Sequence, residues 1–307
     1  SRVVYLEDGE VVEITRDKFD ARNIDDEEIL KEVEEIRVEL NEISKGDYPH
    51  YMLKEIFEQT NSVHDSFRGR ILMDEGTAKL GGIEQIADRI ANSKRIMISA
   101  CGTSWHAGLV AEYMLEQFTG IPVEVDYASE FRYRNPIVNR DDAMFFISQS
   151  GETADTLAAM KEAKNRGALI LGVCNVVGSS IARASEAGVY IHAGPEIGVA
   201  STKAFTSQLV VFALISVLIG RKRHLSIIDG QNILKELELI PSKIGEILKL
   251  NDQIEKIAEQ FVDAKNFLYL GRGYNFPVAL EGALKMKEIS YIHAEGYPAA
   301  EMKHGPI

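Results

Sequence analysis

The sequence predicts an α/β fold, a three-layer sandwich in which helices cover both faces of a parallel sheet. Three observations point that way. From Arg95 onward, short apolar runs alternate with longer amphipathic stretches, the rhythm of repeated βαβ units. The runs themselves, such as Met144-Phe145-Phe146-Ile147, lack polar alternation, as strands buried on both faces do. Glycine and hydroxyl residues gather where several runs give way to a helix, the place where open α/β sheets bind ligands.

The elements follow in order. Val3–Leu6 and Val11–Ile14 flank an acidic turn at Glu7-Asp8-Gly9-Glu10 and read as a β-hairpin. Two strands are marginal alone, so the hairpin is expected to belong to something upstream. Between Asp25 and Ser44, Ile29, Val33, Ile36, Leu40 and Ile43 recur at spacings of 4, 3, 4 and 3, one apolar stripe on an acidic linker or packing helix. The stripe is too short for a partner-binding coiled coil. After Gly46-Asp47-Tyr48-Pro49 a second helix is expected over about His50 to Glu58, and after Gly81-Gly82 a third over Ile83–Asn92.

Strands are then expected at Arg95–Ala100, Val123–Asp126, Ala143–Ile147, Leu169–Val173 and Gly188–His192. Helices are expected between them at Ser104–Thr119, Thr153–Arg166 and Ser179–Ala187, with Thr206–Ile219 closing the unit. Charged helices at Ile227–Lys249 and Asp252–Ala264 intervene before Phe267–Leu270, Gly271-Arg272-Gly273 and a helix from about Pro277 to Ile289 restart the rhythm. The expected division is an upstream tail (1–15), an acidic helical linker (16–82), a full α/β domain (83–226), a helical connector (227–255) and the start of a second domain (256–307).

The 307 residues carry 34 Lys and Arg against 47 Asp and Glu, a net charge of −13. That balance argues against a nucleic-acid surface, which needs a basic patch. It does not forbid a small anion, which backbone amides can hold locally. Cys101 and Cys174 stand far apart, which fits a reducing, cytoplasmic setting and offers neither a disulfide framework nor a zinc cluster. No metal or cofactor is called for. No signal peptide opens the chain, and the apolar run Leu209–Ile219 is too short to span a bilayer, so no membrane is expected. The chain starts at Ser1 and stops at His304-Gly305-Pro306-Ile307, which suggests a fragment.

Three junctions have chemistry suited to a phosphosugar. Ala100-Cys101-Gly102-Thr103-Ser104 offers a close backbone approach and two hydroxyls at a helix start; an N-cap and tight turn would explain it equally well. Ser148-Gln149-Ser150-Gly151-Glu152-Thr153 is richer, with three hydroxyls, an amide and a glycine where a helix begins. Free N–H groups and the helix dipole favour an anion there. Without a Walker pattern, a nucleoside triphosphate is not indicated. Glu196-Ile197-Gly198-Val199-Ala200-Ser201-Thr202-Lys203 mixes small residues with hydroxyls, a plausible sugar-contacting loop in which Lys203 reads equally as a solvated charge. Farther on, Glu281, Lys285 and Glu288 share one helix face. An exposed salt-bridge stripe is the ordinary explanation; their apolar neighbours make an acid/base site the alternative. His304 adds a group able to titrate near neutrality.

These segments, taken in order with Lys54-Glu55-Ile56-Phe57-Glu58-Gln59, Ala279–Glu295 and Lys303-His304-Gly305-Pro306, closely resemble the isomerase part of the isomerizing glutamine–fructose-6-phosphate aminotransferases. That part is a pair of sugar isomerase (SIS) domains, flavodoxin-like and of a nucleotide-free Rossmann type. The resemblance implies that Ser148, Gln149, Ser150 and Thr153 bind a sugar 6-phosphate and that Thr103, Ser104, Val199 and Ser201 contact the sugar. It implies that Glu288 moves a proton between C1 and C2, with Lys285 nearby, and that His304 assists ring opening and reaches a neighbouring subunit's site in a homodimer. Fructose 6-phosphate would be converted to glucosamine 6-phosphate with ammonia from a glutaminase domain, whose tail the opening hairpin resembles. The nucleophilic Cys of that domain and a C-terminal Schiff-base Lys have no counterpart here, so the fragment alone is expected to be inactive. Thr60, Pro298 and Ala300 depart from the family pattern. The alternatives are a related isomerase or deglycase of the same fold, and a regulatory module that only binds sugar phosphate.

Overall fold

The computed structural model describes residues 2–6, 9–35 and 44–306. The chain divides into two compact units, Ser1–Asp47 and Tyr48–Ile307.

The first unit holds β1 (Arg2–Val3), β2 (Glu10–Ile14), β3 (Phe19–Asn23), β4 (Glu28–Ile29) and β5 (Glu34–Glu35). It corrects two expectations. The hairpin partner of Val11–Ile14 is β3, not Val3–Leu6. Thr15 and Lys18 close that turn through their backbones at 2.8 Å and through the Thr15 hydroxyl at 3.0 Å; residues 7 and 8 lie outside the described ones. The second correction concerns the acidic helix, because its first part is β4 and β5. Asn23 Oδ1 accepts the N–H groups of Asp25 and Glu27 at 3.0 and 2.9 Å, and Asp26 takes φ +63°. This side-chain-closed turn reverses the chain before a helix can start. Ile36, Leu40 and Ile43, the rest of the stripe, lie outside the described residues.

The second unit opens with α1 (Tyr51–Phe57) and α2 (Gln59–Phe67), a small ribbon of β6 (Ile71–Leu72) and β7 (Thr77–Ala78), and α3 (Ala87–Ala91) after a 3-10 turn. The central sheet contains β8 (Arg95–Ala100), β9 (Val123–Tyr127), β10 (Asp142–Ser148), β11 (Leu169–Cys174) and β12 (Ala187–Tyr190). Their order is β12-β11-β10-β8-β9, and every neighbouring pair is parallel. Between them run α4 (Gly102–Thr119), α5 (Ala128–Tyr133), α6 (Ala154–Asn165) and α7 (Ser180–Ala184), and α8 (Lys203–Arg221) follows β12.

The period of two along a strand splits the core into two layers. Phe145 and Ile147 of β10 face the layer built with Leu115 of α4 and Phe212 and Ile215 of α8. Met144 and Phe146 face the other, with Phe131 of α5 and Met160 of α6. Every residue of β10 is buried, which is why its sequence shows no alternation. The α8 helix is long and apolar enough to cross a membrane, yet here it is a core helix and mostly buried. The first connection leaves β8 toward β9, whereas β10 lies on the other side of β8. Their following helices α4 and α6 therefore cover opposite faces, and a crevice opens between the carboxyl ends of β8 and β10.

Beyond α8 come α9 (Ile227–Leu248), α10 (Asn251–Glu259), β13 (Asn266–Gly271), α11 (Asn275–Ser290), β14 (His293–Pro298) and a final 3-10 turn at Ala299–His304. β13 and β14 pair in parallel, and α11 packs against both and against α4. The sequence reading did not anticipate α5 or β14. It also extended β12 to His192, whereas the strand stops at Tyr190 and His192 takes φ +55°. The expected Ser179–Ala187 helix shrinks to α7 because Ala187 already pairs with Leu171.

Candidate functional site

A cavity of about 210 Å³ sits at the crevice, lined by Cys101, Thr103, Ser104, Ile147, Ser148, Gln149, Ser150, Thr153 and Ser201. Three loops build it. The first leaves β8 and enters α4 at Gly102. The second leaves β10 and enters α6 at Ala154. The third, residues 196–202, precedes α8.

The second loop is ordered from within. Ser148 Oγ accepts the Gly151 N–H at 2.9 Å and shares a hydrogen bond with Thr153 Oγ1 at 2.9 Å. Ser150 Oγ accepts the Glu152 N–H at 3.2 Å. Gly151 takes φ +70°, and a Cβ there would come within 2.0 Å of Ser179 Oγ, so conformation and space both demand glycine. The lining residues include no Lys or Arg; an anion here would rest on hydroxyls, an amide side chain and two helix starts.

Opposite, Ser104 Oγ accepts from buried Gln208 Nε2 at 3.0 Å. The half-buried Trp105 indole stacks on Tyr127, ring centroids 3.9 Å apart and planes 16° from parallel. In the third loop Ser201 reaches the wall and donates to Glu196 Oε2 at 2.8 Å. Val199, expected beside it, is 99 % exposed and lies outside the lining. Lys203 is no solvated charge, being buried and ion-paired with Glu58 at 2.7 Å.

Thr103 links the cavity to the α11 row. Its hydroxyl donates to Glu281 Oε1 at 2.9 Å and accepts from Lys285 Nζ at 3.0 Å. Lys285 in turn pairs with Glu281 at 3.2 Å and with Glu288 at 2.6 Å. Buried His106 holds Glu281 Oε2 at 2.6 Å. The row is thus only partly exposed: Glu281 is buried between two helices and Lys285 is half-buried, while Glu288 is exposed. Burial pushes its carboxyl up, but the His106 hydrogen bond, the Lys285 charge and the Thr103 hydroxyl outweigh this and hold it below its ordinary value.

Lys285 is one hydrogen bond from the cavity wall, and Glu288 one ion pair beyond it. His304 is exposed on the final 3-10 turn, outside the lining. Sequence reasoning overlooked His106, whose signal was its place three residues after Thr103, on the same helix face. It also overlooked Gln208, a lone amide inside an apolar helix. Among the described residues no group of three or more His, Cys, Asp or Glu side chains could hold a metal ion. Both cysteines are free, and burial pushes the Cys174 thiol up to about 11, so it stays protonated at neutral pH.

The SIS domain model matches residues 89–218 and 260–307. The isomerizing glutamine–fructose-6-phosphate aminotransferase of Chlorobaculum tepidum is 58% identical over all 307 residues, and that of Bacteroides thetaiotaomicron 55% identical over 312 aligned positions. The chain spans about half the length of these curated relatives, 50% of each. Among solved structures, the C-terminal domain of glucosamine-fructose-6-phosphate aminotransferase from Francisella tularensis superposes with a TM-score of 0.82 at 43% identity, covering 86% of this chain and 74% of that one. The chain belongs to the SIS domain family, in its branch of isomerizing glutamine–fructose-6-phosphate aminotransferases.

Proposed function

We propose that this chain is the sugar-isomerase part of an enzyme that makes glucosamine 6-phosphate from fructose 6-phosphate and ammonia released from glutamine. The observation that carries this reading is the hydroxyl-lined cavity joined through Thr103 to the Glu281–Lys285–Glu288 row. Ser148, Gln149, Ser150 and Thr153 take the 6-phosphate at the start of α6, where amide dipoles favour an anion without a fixed cation. Thr103, Ser104 and Ser201, which line the cavity, contact the sugar, while Val199, outside the lining, would reach it only if the 196–202 loop moved inward.

After the ring opens, with His304 as the proton-transferring group, ammonia condenses at C2 with loss of water. Glu288 then takes a proton from C1 and returns it to C2, while the C1 hydroxyl gives up its proton and the imine nitrogen gains one, which moves the double bond from C2–N to C1–O and leaves an aldehyde at C1 and an amine at C2. Lys285, 2.6 Å from Glu288, offsets negative charge as the proton moves. The exposed position of His304 suits a residue that serves a neighbouring subunit, so the reading includes a homodimer. It also includes a glutaminase domain in the longer chain as ammonia source. The two free cysteines fit a cytoplasmic setting.

The test is an assay on the full-length protein with fructose 6-phosphate and glutamine, following glucosamine 6-phosphate by mass spectrometry. Glutamine-dependent product supports the reading. Interconversion of phosphosugars without glutamine would replace it with a related isomerase or deglycase, and binding without turnover with a regulatory module.

A further inference from the structure

We propose that Glu55 in α1 and Glu58 at the junction of α1 and α2 are positioning residues for the loop that carries Ser201 to the cavity; this rests on the sugar-phosphate reading above. Glu55 is 2 % exposed, an unusual place for a carboxylate unless it is hydrogen-bonded. Its Oε1 accepts the backbone N–H groups of Ile197 and Gly198 at 2.6 and 2.9 Å. These partners are more than 140 residues away in sequence and belong to a loop with no strand or helix of its own.

The seat is close. A Cβ on Gly198 would lie 2.5 Å from Glu55 Oε2 and 3.4 Å from the Met52 Cα. The far end of the loop is tied by a second carboxylate. Glu58 holds Lys203 at 2.7 Å and Lys54 at 2.7 Å, and Lys203, 3 % exposed, is the first residue of α8.

Between these anchors the loop braces itself. Glu196 Oε1 accepts the N–H groups of Thr202 and Ala204 at 2.8 and 3.2 Å, and Oε2 accepts the Ser201 hydroxyl at 2.8 Å. Ser201 therefore reaches the cavity wall from a segment held at one end by α1 and at the other by the α1–α2 junction. Two part-buried charge-assisted contacts set where that wall stands. Neither Glu55 nor Glu58 lines the cavity, so their effect on a ligand passes through the loop.

The experiment measures binding of fructose 6-phosphate and, separately, of inorganic phosphate to the full-length protein, together with its melting temperature. Glu55→Ala is expected to weaken fructose 6-phosphate about tenfold, equivalent to ~1.4 kcal/mol, and to leave inorganic phosphate, held by the Ser148–Thr153 loop, unchanged. Glu55→Gln keeps an acceptor oxygen for both N–H groups and is expected to restore most of the affinity. Gly198→Ala presses on the same contact from the loop side with Glu55 intact, and is expected to repeat the selective loss even if Glu55→Ala fails to fold. Equal losses for both ligands with a lower melting temperature would show a merely structural role and overturn the proposal, as would wild-type fructose 6-phosphate affinity in Glu55→Ala or Gly198→Ala. If the unmodified protein does not bind fructose 6-phosphate, the sugar-phosphate reading fails, and the positioning role with it.

Discussion

Ser148 is oriented before any ligand arrives, because the Gly151 amide and Thr153 hydroxyl already fix its Oγ. The double variant Ser148→Ala, Ser150→Ala is therefore expected to weaken sugar-phosphate binding by an order of magnitude or more, each lost hydrogen bond to a charged group being worth ~1.5–3 kcal/mol. Isothermal titration checks this; unchanged affinity would remove the loop from the phosphate site. Glu281 gives a pH prediction. Its carboxyl is held below the ordinary value in the folded chain, so its contribution to stability is present above the unfolded value and lost as pH falls through the folded one. His106→Ala removes one of the holding groups. It should cost roughly 1–3 kcal/mol at neutral pH, and because the folded value then lies nearer the unfolded one, the loss on acidification should be smaller and complete at higher pH, as read by urea unfolding at successive pH values. The hydroxyl cluster was legible in the sequence because three hydroxyls and a glycine crowd six residues. The partnership of His106 with Glu281 was not, since the two lie 175 residues apart and meet only where α4 crosses α11.

Elements were legible in proportion to how much of each is buried. The β10 and α8 segments carry long apolar runs that have one physical outcome, interior placement, and their bounds came out within a few residues. The strands of the first unit are short and acidic, and there a turn closed by Asn23 outweighed a helical spacing. β12 shows a subtler constraint. Its Gly188 pairs with Gly172 of β11, and a Cβ on Gly188 would stand 2.4 Å from the Gly172 carbonyl oxygen. Backbone cannot step aside as a side chain can, so Gly188→Ala should detach or shift this edge strand at a cost of ~1–3 kcal/mol, the usual range for overpacking. Calorimetry would show it as a lowered melting temperature; a variant as stable as the parent would mean that β12 is free to move outward.

The molecule as a whole is anionic, at −13, while the cavity wall includes no Lys or Arg. Its field should repel a phosphosugar dianion during approach, even where, on the proposed reading, local amides would hold it on arrival. Added salt screens that repulsion. The association rate is therefore expected to rise several-fold between low and physiological ionic strength, opposite to the behaviour of a basic phosphate site. Stopped-flow mixing at graded salt tests this, and a rate that falls with salt would point to a cationic entry path. The instrument for that measurement is already in the chain. Trp105 is the one tryptophan among 307 residues, adjacent to Ser104 in the wall and stacked face to face on Tyr127. Indole emission from these 307 residues thus originates one residue from the cavity wall, so occupancy, loop seating and salt response can be followed by intrinsic fluorescence of this unlabelled chain.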